Sequence, residues 1–202
     1  MKRKLILSFL FIVLLGISSC SQKEDAMSAS DNLLKSRSVG FVLDYPPADA
    51  MANHYIVIHA MDMAWQQMKS RVANGNGRSE FGFYIRYLFE QNTFATGSIT
   101  EGPVVTECAG TNASINLGIP NDNLTVCGFF HCHTSIQNCP AGDWRYTGPS
   151  ESDINWARNH NLPGILYDYS TPIIRAGQHH ANDAYKVYTF GPTVRPELII
   201  NN

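Results

Sequence analysis

Along "SEFGFYIRYLF", Phe81, Phe83, Ile85 and Tyr87 alternate with smaller or polar neighbours, the period-two pattern of a strand with one face in a core. Upstream, "YPPADAMANHYIVIHAMDMAWQQMKSRVANGNG" changes period. Tyr55, Ile58, Met61, Trp65 and Met68 share one helical face, Pro46 and Pro47 stand where a helix can begin, and Asn-Gly-Asn-Gly stops it. One continuous helix is expected there. A second strand is expected around Val104 to Cys108, and a third in "LTVCGFFHCHT", where β-branched and aromatic residues lead into a polar loop. "SESDINWARNHN" reads as a short helix with Ser150 at the N-cap and Asp153 three residues later in the first turn. "LPGILYDYS", "PIIRAG" and "AYKVYTFG" read as three successive strands. Helix, strands, helix and strands in this order predict a single α+β domain, a mixed or largely antiparallel sheet flanked by helices.

The N-terminus follows other rules. "MKRK" is a short basic start, "LILSFLFIVLLGI" is an apolar run of signal-peptide length, and "SSC" follows directly. The run is short for a membrane-spanning helix. "GISSC" resembles the lipobox of bacterial lipoproteins, which implies that residues 1–19 are removed and that Cys20 carries the lipid. Residues 20–38, rich in Ser, Asp and Lys, are expected to form a flexible tether. Residues 39–202 are the size of one domain, with no internal repeat. Glu24 and Asp25 behind Cys20 resemble the surface-export signal of some lipoproteins, so the expected location is the outer membrane or cell surface, with the lipid as the membrane contact. The whole chain carries 15 basic and 17 acidic residues. Its Lys2, Arg3 and Lys4 belong to the leader, and no basic cluster remains to hold a phosphate backbone, so no nucleic-acid partner is expected.

With Cys20 lipidated, Cys108, Cys127, Cys132 and Cys139 are an even set in an exported chain, permitting two disulfides in three connectivities. Residues two apart on a strand share a face, so His131 and His133 present two imidazoles side by side while Cys132 faces away. A Cys132–Cys139 bridge, leaving Cys108–Cys127, is the expected pairing. Cys127 falls on the histidine face by the same alternation.

The carboxylate of Asp153, returning over the end of the histidine strand, would make a third ligand. Two histidines and one carboxylate leave a fourth tetrahedral position open, as in catalytic zinc sites. A hydrolase also needs a base that is not a ligand. Glu80 at the mouth of its strand is the best placed, with Glu90, Glu101 and Glu107 as further candidates.

Glu80 on an early strand, His131-x-His133 at the end of a later one, and Ser150-x-x-Asp153 opening a helix resemble the JAB/MPN, or JAMM, metalloprotease motif. The resemblance spans roughly residues 48 to 190 and lies nearest to bacterial JAB-like domains. It implies a JAB/MPN-like sheet and one zinc ion bound by His131, His133 and Asp153. It further implies Glu80 as proton acceptor for a metal-activated water, Ser150 at the oxyanion, and hydrolysis of an amide bond in a peptide or protein. Two departures stand out: Thr134 replaces the family's usual proline, and "TSIQNCPAGDWRYTGP" lengthens the interval before Ser150. Substrate choice is expected to reside in that insertion.

Other readings are a cell-wall peptide amidase with the same zinc chemistry and a non-catalytic JAB-like binding module. A zinc deaminase would want His-x-Glu and Pro-Cys-x-x-Cys, and "HCH" with "NCPAGDW" supplies neither. His54 and His59, five apart on the first helix, read as satisfied or solvent-facing, and His179, His180 and Asp183 in "QHHAND" read as a loop. "NAS" and "NLT" match the glycosylation acceptor pattern, which has little meaning in a bacterial lipoprotein.

Overall fold

A computed structural model describes residues 41–106, 113–118, 123–178 and 184–200. The expected leader, Cys20 and the tether lie outside them, as do Glu107, Cys108, His179, His180 and Asp183. In chain order the elements are β1 (Phe41–Leu43), α1 (Ala48–Ala52), α2 (Tyr55–Ala73), β2 (Phe81–Leu88), β3 (Thr93–Thr96), β4 (Thr100–Glu101), β5 (Val126–Cys132), β6 (Trp144–Tyr146), α3 (Glu151–Asn159), β7 (Gly164–Tyr169), β8 (Ile173–Arg175), β9 (Tyr185–Phe190) and β10 (Leu198–Ile200). The main sheet runs β3-β2-β5-β7-β9, with β4 also on β2. Among the described residues only β5 and β7 pair in parallel, so the sheet is mixed and the fold is α+β. No helix among the described residues is long and apolar enough to cross a membrane.

The sheet separates two apolar layers. On one face α2 contributes Met61, Trp65 and Met68 to a core with Phe81, Phe83, Ile85 and Phe130. On the other, α3 contributes Ala157 to a smaller core with Tyr84, Phe129, Leu166 and Phe190. β5 lies at the centre and all seven of its residues are buried.

The expected single helix is two. Asn53 ends α1 by donating its side-chain amide to the Asp49 carbonyl at 2.8 Å, and His54 is extended at φ −85° before α2 begins. Tyr55, the first residue of α2, is 73% exposed, off the face its spacing suggested. The strand expected at Val104 to Cys108 is, among the described residues, a single bridge from Val105 to Arg78. β3 and β4 occupy the edge instead. The three late strands are present, but β8 leaves the main sheet and pairs with β6, which lies inside the long loop before α3.

β5 also carries an irregularity that alternation does not foresee. Its register against β2 shifts between Ile85 and Arg86, opposite Gly128 and Val126. An extra residue at this point reverses the facing of what precedes it. Cys127 therefore joins Phe130 and Cys132 on the α2 side, away from the histidines.

The expected disulfides Cys132–Cys139 and Cys108–Cys127 do not form, because Cys127 and Cys132 are both free. α2 covers Cys132, whose thiol donates to the Ala64 carbonyl at 3.8 Å. Cys127 lies against Met51 Sδ at 3.3 Å and the Ile85 carbonyl at 3.5 Å. Cys139 is disulfide-bonded, and neither of these two is its partner.

Candidate metal centre

A parallel pair needs a crossover connection. The chain leaves the C-terminal end of β5, passes through β6 and α3, and returns as β7, so the start of α3 comes back to the end of β5. That topology brings Asp153 to His131 and His133. Beyond β5 the bonding to β7 continues for one more residue, the His133 amide donating to the Tyr167 carbonyl at 3.0 Å. The two imidazole centroids are 5.1 Å apart.

Asp153 faces both rings: its Oδ1 lies 3.4 Å from His131 Nε2 and its Oδ2 3.3 Å from His133 Nε2. One ligand atom from each of the three residues lies within 4.8 Å of the others, and the group can hold a metal ion. His131 is 2% exposed; neither ring nitrogen makes a well-formed hydrogen bond, Nδ1 having no partner and Nε2 only the 3.4 Å approach of Asp153 Oδ1. A buried imidazole without a partner is costly. An ion shared with His133 and Asp153 would satisfy Nε2, so the donor set fits a divalent metal that takes nitrogen and oxygen ligands.

Asp153 is aimed by the helix start. The Ser150 hydroxyl accepts from the Asp153 amide at 3.2 Å, and the Ser150 amide donates to Asp153 Oδ2 at 2.7 Å, a complete capping box. The Ser150 hydroxyl also donates to Asp153 Oδ2 at 2.7 Å. Ser150 therefore sits beside the carboxylate at the lip of the site.

Two residues that sequence reasoning missed hold His133 from behind. Its Nδ1 lies 2.9 Å from Oδ2 of Asp168, which is 0% exposed near the C-terminal end of β7. Arg145 of β6 grips the same carboxylate with both terminal nitrogens, at 2.7 and 2.8 Å, and the amides of Gly148 and Tyr169 add donors at 3.0 and 2.8 Å. The available signal was Asp168 itself, a charge inside the otherwise apolar "GILYDY". Such a residue is seldom buried without a partner.

Charges in this cluster bias one another strongly. Burial disfavours the His133 cation, but its hydrogen bonds to Asp153 and Asp168 outweigh that, and its pKa rises to about 9. Burial opposes ionisation of Asp153, yet the facing histidines hold it far below the usual carboxylate range. Asp168 is likewise held low against its burial, by Arg145 and then His133.

Glu80, 7% exposed and one residue before β2, faces the same cleft as the three clustered residues. Burial raises its pKa, with the charge of His131 and His133 acting the other way. Among the other carboxylates, Glu101 is committed to Arg71 at 2.5 Å and to the Ser79 hydroxyl at 2.7 Å. Glu90 lies exposed in the turn after β2. His54 stands at the N-cap position of α2 without a side-chain cap bond and packs on Phe94, while His59 faces solvent.

The cleft has a volume of about 820 Å³. Arg145, Thr147 and Ser150 contribute its polar lining, and Ile115, Leu117 and Trp156 its apolar lining. Comparisons with protein-family models, curated proteins and solved structures found no match.

Proposed function

We propose that this chain is a zinc-dependent peptidase or isopeptidase of the JAB/MPN type, with His131, His133 and Asp153 as ligands and Glu80 as base. The observation that carries this reading is the meeting of three ligating side chains, one with a buried unpartnered imidazole nitrogen, beside a buried carboxylate in one cleft. When bound, zinc would polarise the scissile carbonyl and bring the pKa of a coordinated water toward neutrality.

The protein supplies the proton traffic. Burial gives the Glu80 carboxylate a higher proton affinity than an exposed glutamate, which suits a group that takes a proton from attacking water and passes it to the leaving amine. The Ser150 hydroxyl, which donates to Asp153 Oδ2 before substrate binds, is the donor proposed for the developing oxyanion once it turns from that carboxylate. Zinc content of the purified protein, compared with His131→Ala and Asp153→Ala, tests the ligand set. Stoichiometric zinc in the wild type and loss in both variants is expected; negligible zinc in all three would end the proposal. Glu80→Gln is expected to keep its zinc and lose roughly 100- to 10,000-fold in peptide hydrolysis. Retained turnover would mean that another group is the base.

A further inference from the structure

We infer that Arg145, acting through Asp168, is a positioning residue that holds His133 in its ligating orientation; this rests on the metal-binding reading above. Asp168 meets His133 Nδ1 at 2.9 Å. With the Nδ1 proton donated to that carboxylate, Nε2 is left to present its lone pair toward His131 and Asp153. A carboxylate behind a ligating histidine both orients the ring and raises its basicity.

Asp168 depends in turn on Arg145. A fully buried carboxylate is unfavourable unless paired and hydrogen-bonded. The guanidinium of Arg145 meets both of its oxygens in a fork, at 2.7 and 2.8 Å. The same group donates to the carbonyl of Thr134 at 3.0 Å, immediately after His133, and to that of Tyr146 at 3.1 Å. One side chain thus fixes the carboxylate behind His133 and the backbone that follows it. Arg145 is itself fixed by strand pairing, opposite Ile174 of β8. The long interval between His133 and Ser150 therefore delivers a residue to the metal centre.

The test is zinc affinity of the folded protein, measured by competition with a chromophoric chelator, with cobalt(II) absorption as a report on ligand geometry. An ion pair that only stabilised the fold would lower the unfolding midpoint and leave the affinity of folded protein unchanged. Arg145→Gln and Asp168→Asn are each expected to weaken zinc by roughly 10- to 100-fold and to alter the cobalt spectrum. The double variant is expected to lose about as much as either single one, because the two residues act as a unit. It also removes both charges together, so it carries the test if a single variant leaves an unpaired buried ion and does not fold. Wild-type affinity and spectrum in the folded variants would overturn the role of Arg145 while leaving the metal reading intact. No zinc binding by the wild type would overturn both.

Discussion

His133 lies between two carboxylates, so metal and proton compete for one nitrogen. With a pKa of about 9 in the metal-free protein, the ring is a cation at neutral pH. Zinc binding at Nε2 must displace that proton. Calorimetry in buffers of different ionisation heat should therefore show a proton released on zinc binding near neutral pH, with affinity rising until about pH 9. Stability of the metal-free fold is expected to move oppositely. The His133 contribution is complete below its ordinary value of 6.5 and is lost as pH rises through about 9. The contributions of Asp153 and Asp168 are complete above their ordinary 3.8 and are lost in stronger acid. Thermal unfolding of metal-free protein should give this cluster's largest contribution between pH 3.8 and 6.5. A midpoint unchanged from there to above pH 9 would contradict the clamp on His133.

Elements bring the ligands together, and two small residues control how. Gly82 pairs with His131 across β2 and β5, and a Cβ there would stand 2.3 Å from the Phe130 carbonyl oxygen and 3.0 Å from His131 Cβ. Gly82→Ala must push the strands apart at the first ligand. A loss of about 1–3 kcal/mol in denaturant unfolding is expected, with weaker zinc binding. At the start of α3, Ser150→Ala removes the capping hydroxyl and one donor to Asp153. It is expected to cost about 1 kcal/mol, read from the same unfolding curves. No loss would show that the cap contributes nothing to the helix.

Across the whole molecule, the cysteines distinguish face alternation from real packing. Burial raises the thiol pKa of Cys127 to about 12 and raises that of Cys132 as well. Both are expected to resist iodoacetamide in the native protein and to react after unfolding in guanidinium, as read by peptide mass mapping. Rapid native labelling of either would contradict their placement under α1 and α2. The same packing shows why the sequence was only partly legible. Alternation correctly put Cys132 opposite the histidines, but it carried no information about α2 lying over that face or about the register shift that turns Cys127 the same way.

The features legible from the residues alone are short-range. Two-residue spacing set His131 and His133 side by side, a Ser-x-x-Asp cap aimed Asp153, and the alternation from Phe81 to Ile85 set which face of β2 enters the larger core. These depend on strand pleat and helix-end hydrogen bonding, which act over a few residues. Packing selects the partners that lie far apart in the chain: Asp168, 35 residues from His133, and Arg145, 23 residues from Asp168. Those contacts follow from β7 lying beside β5 and from β6 pairing with β8, choices made by the burial of whole faces. A lone Asp in an apolar strand announces that it needs a partner, and only the packed sheet shows which one it has.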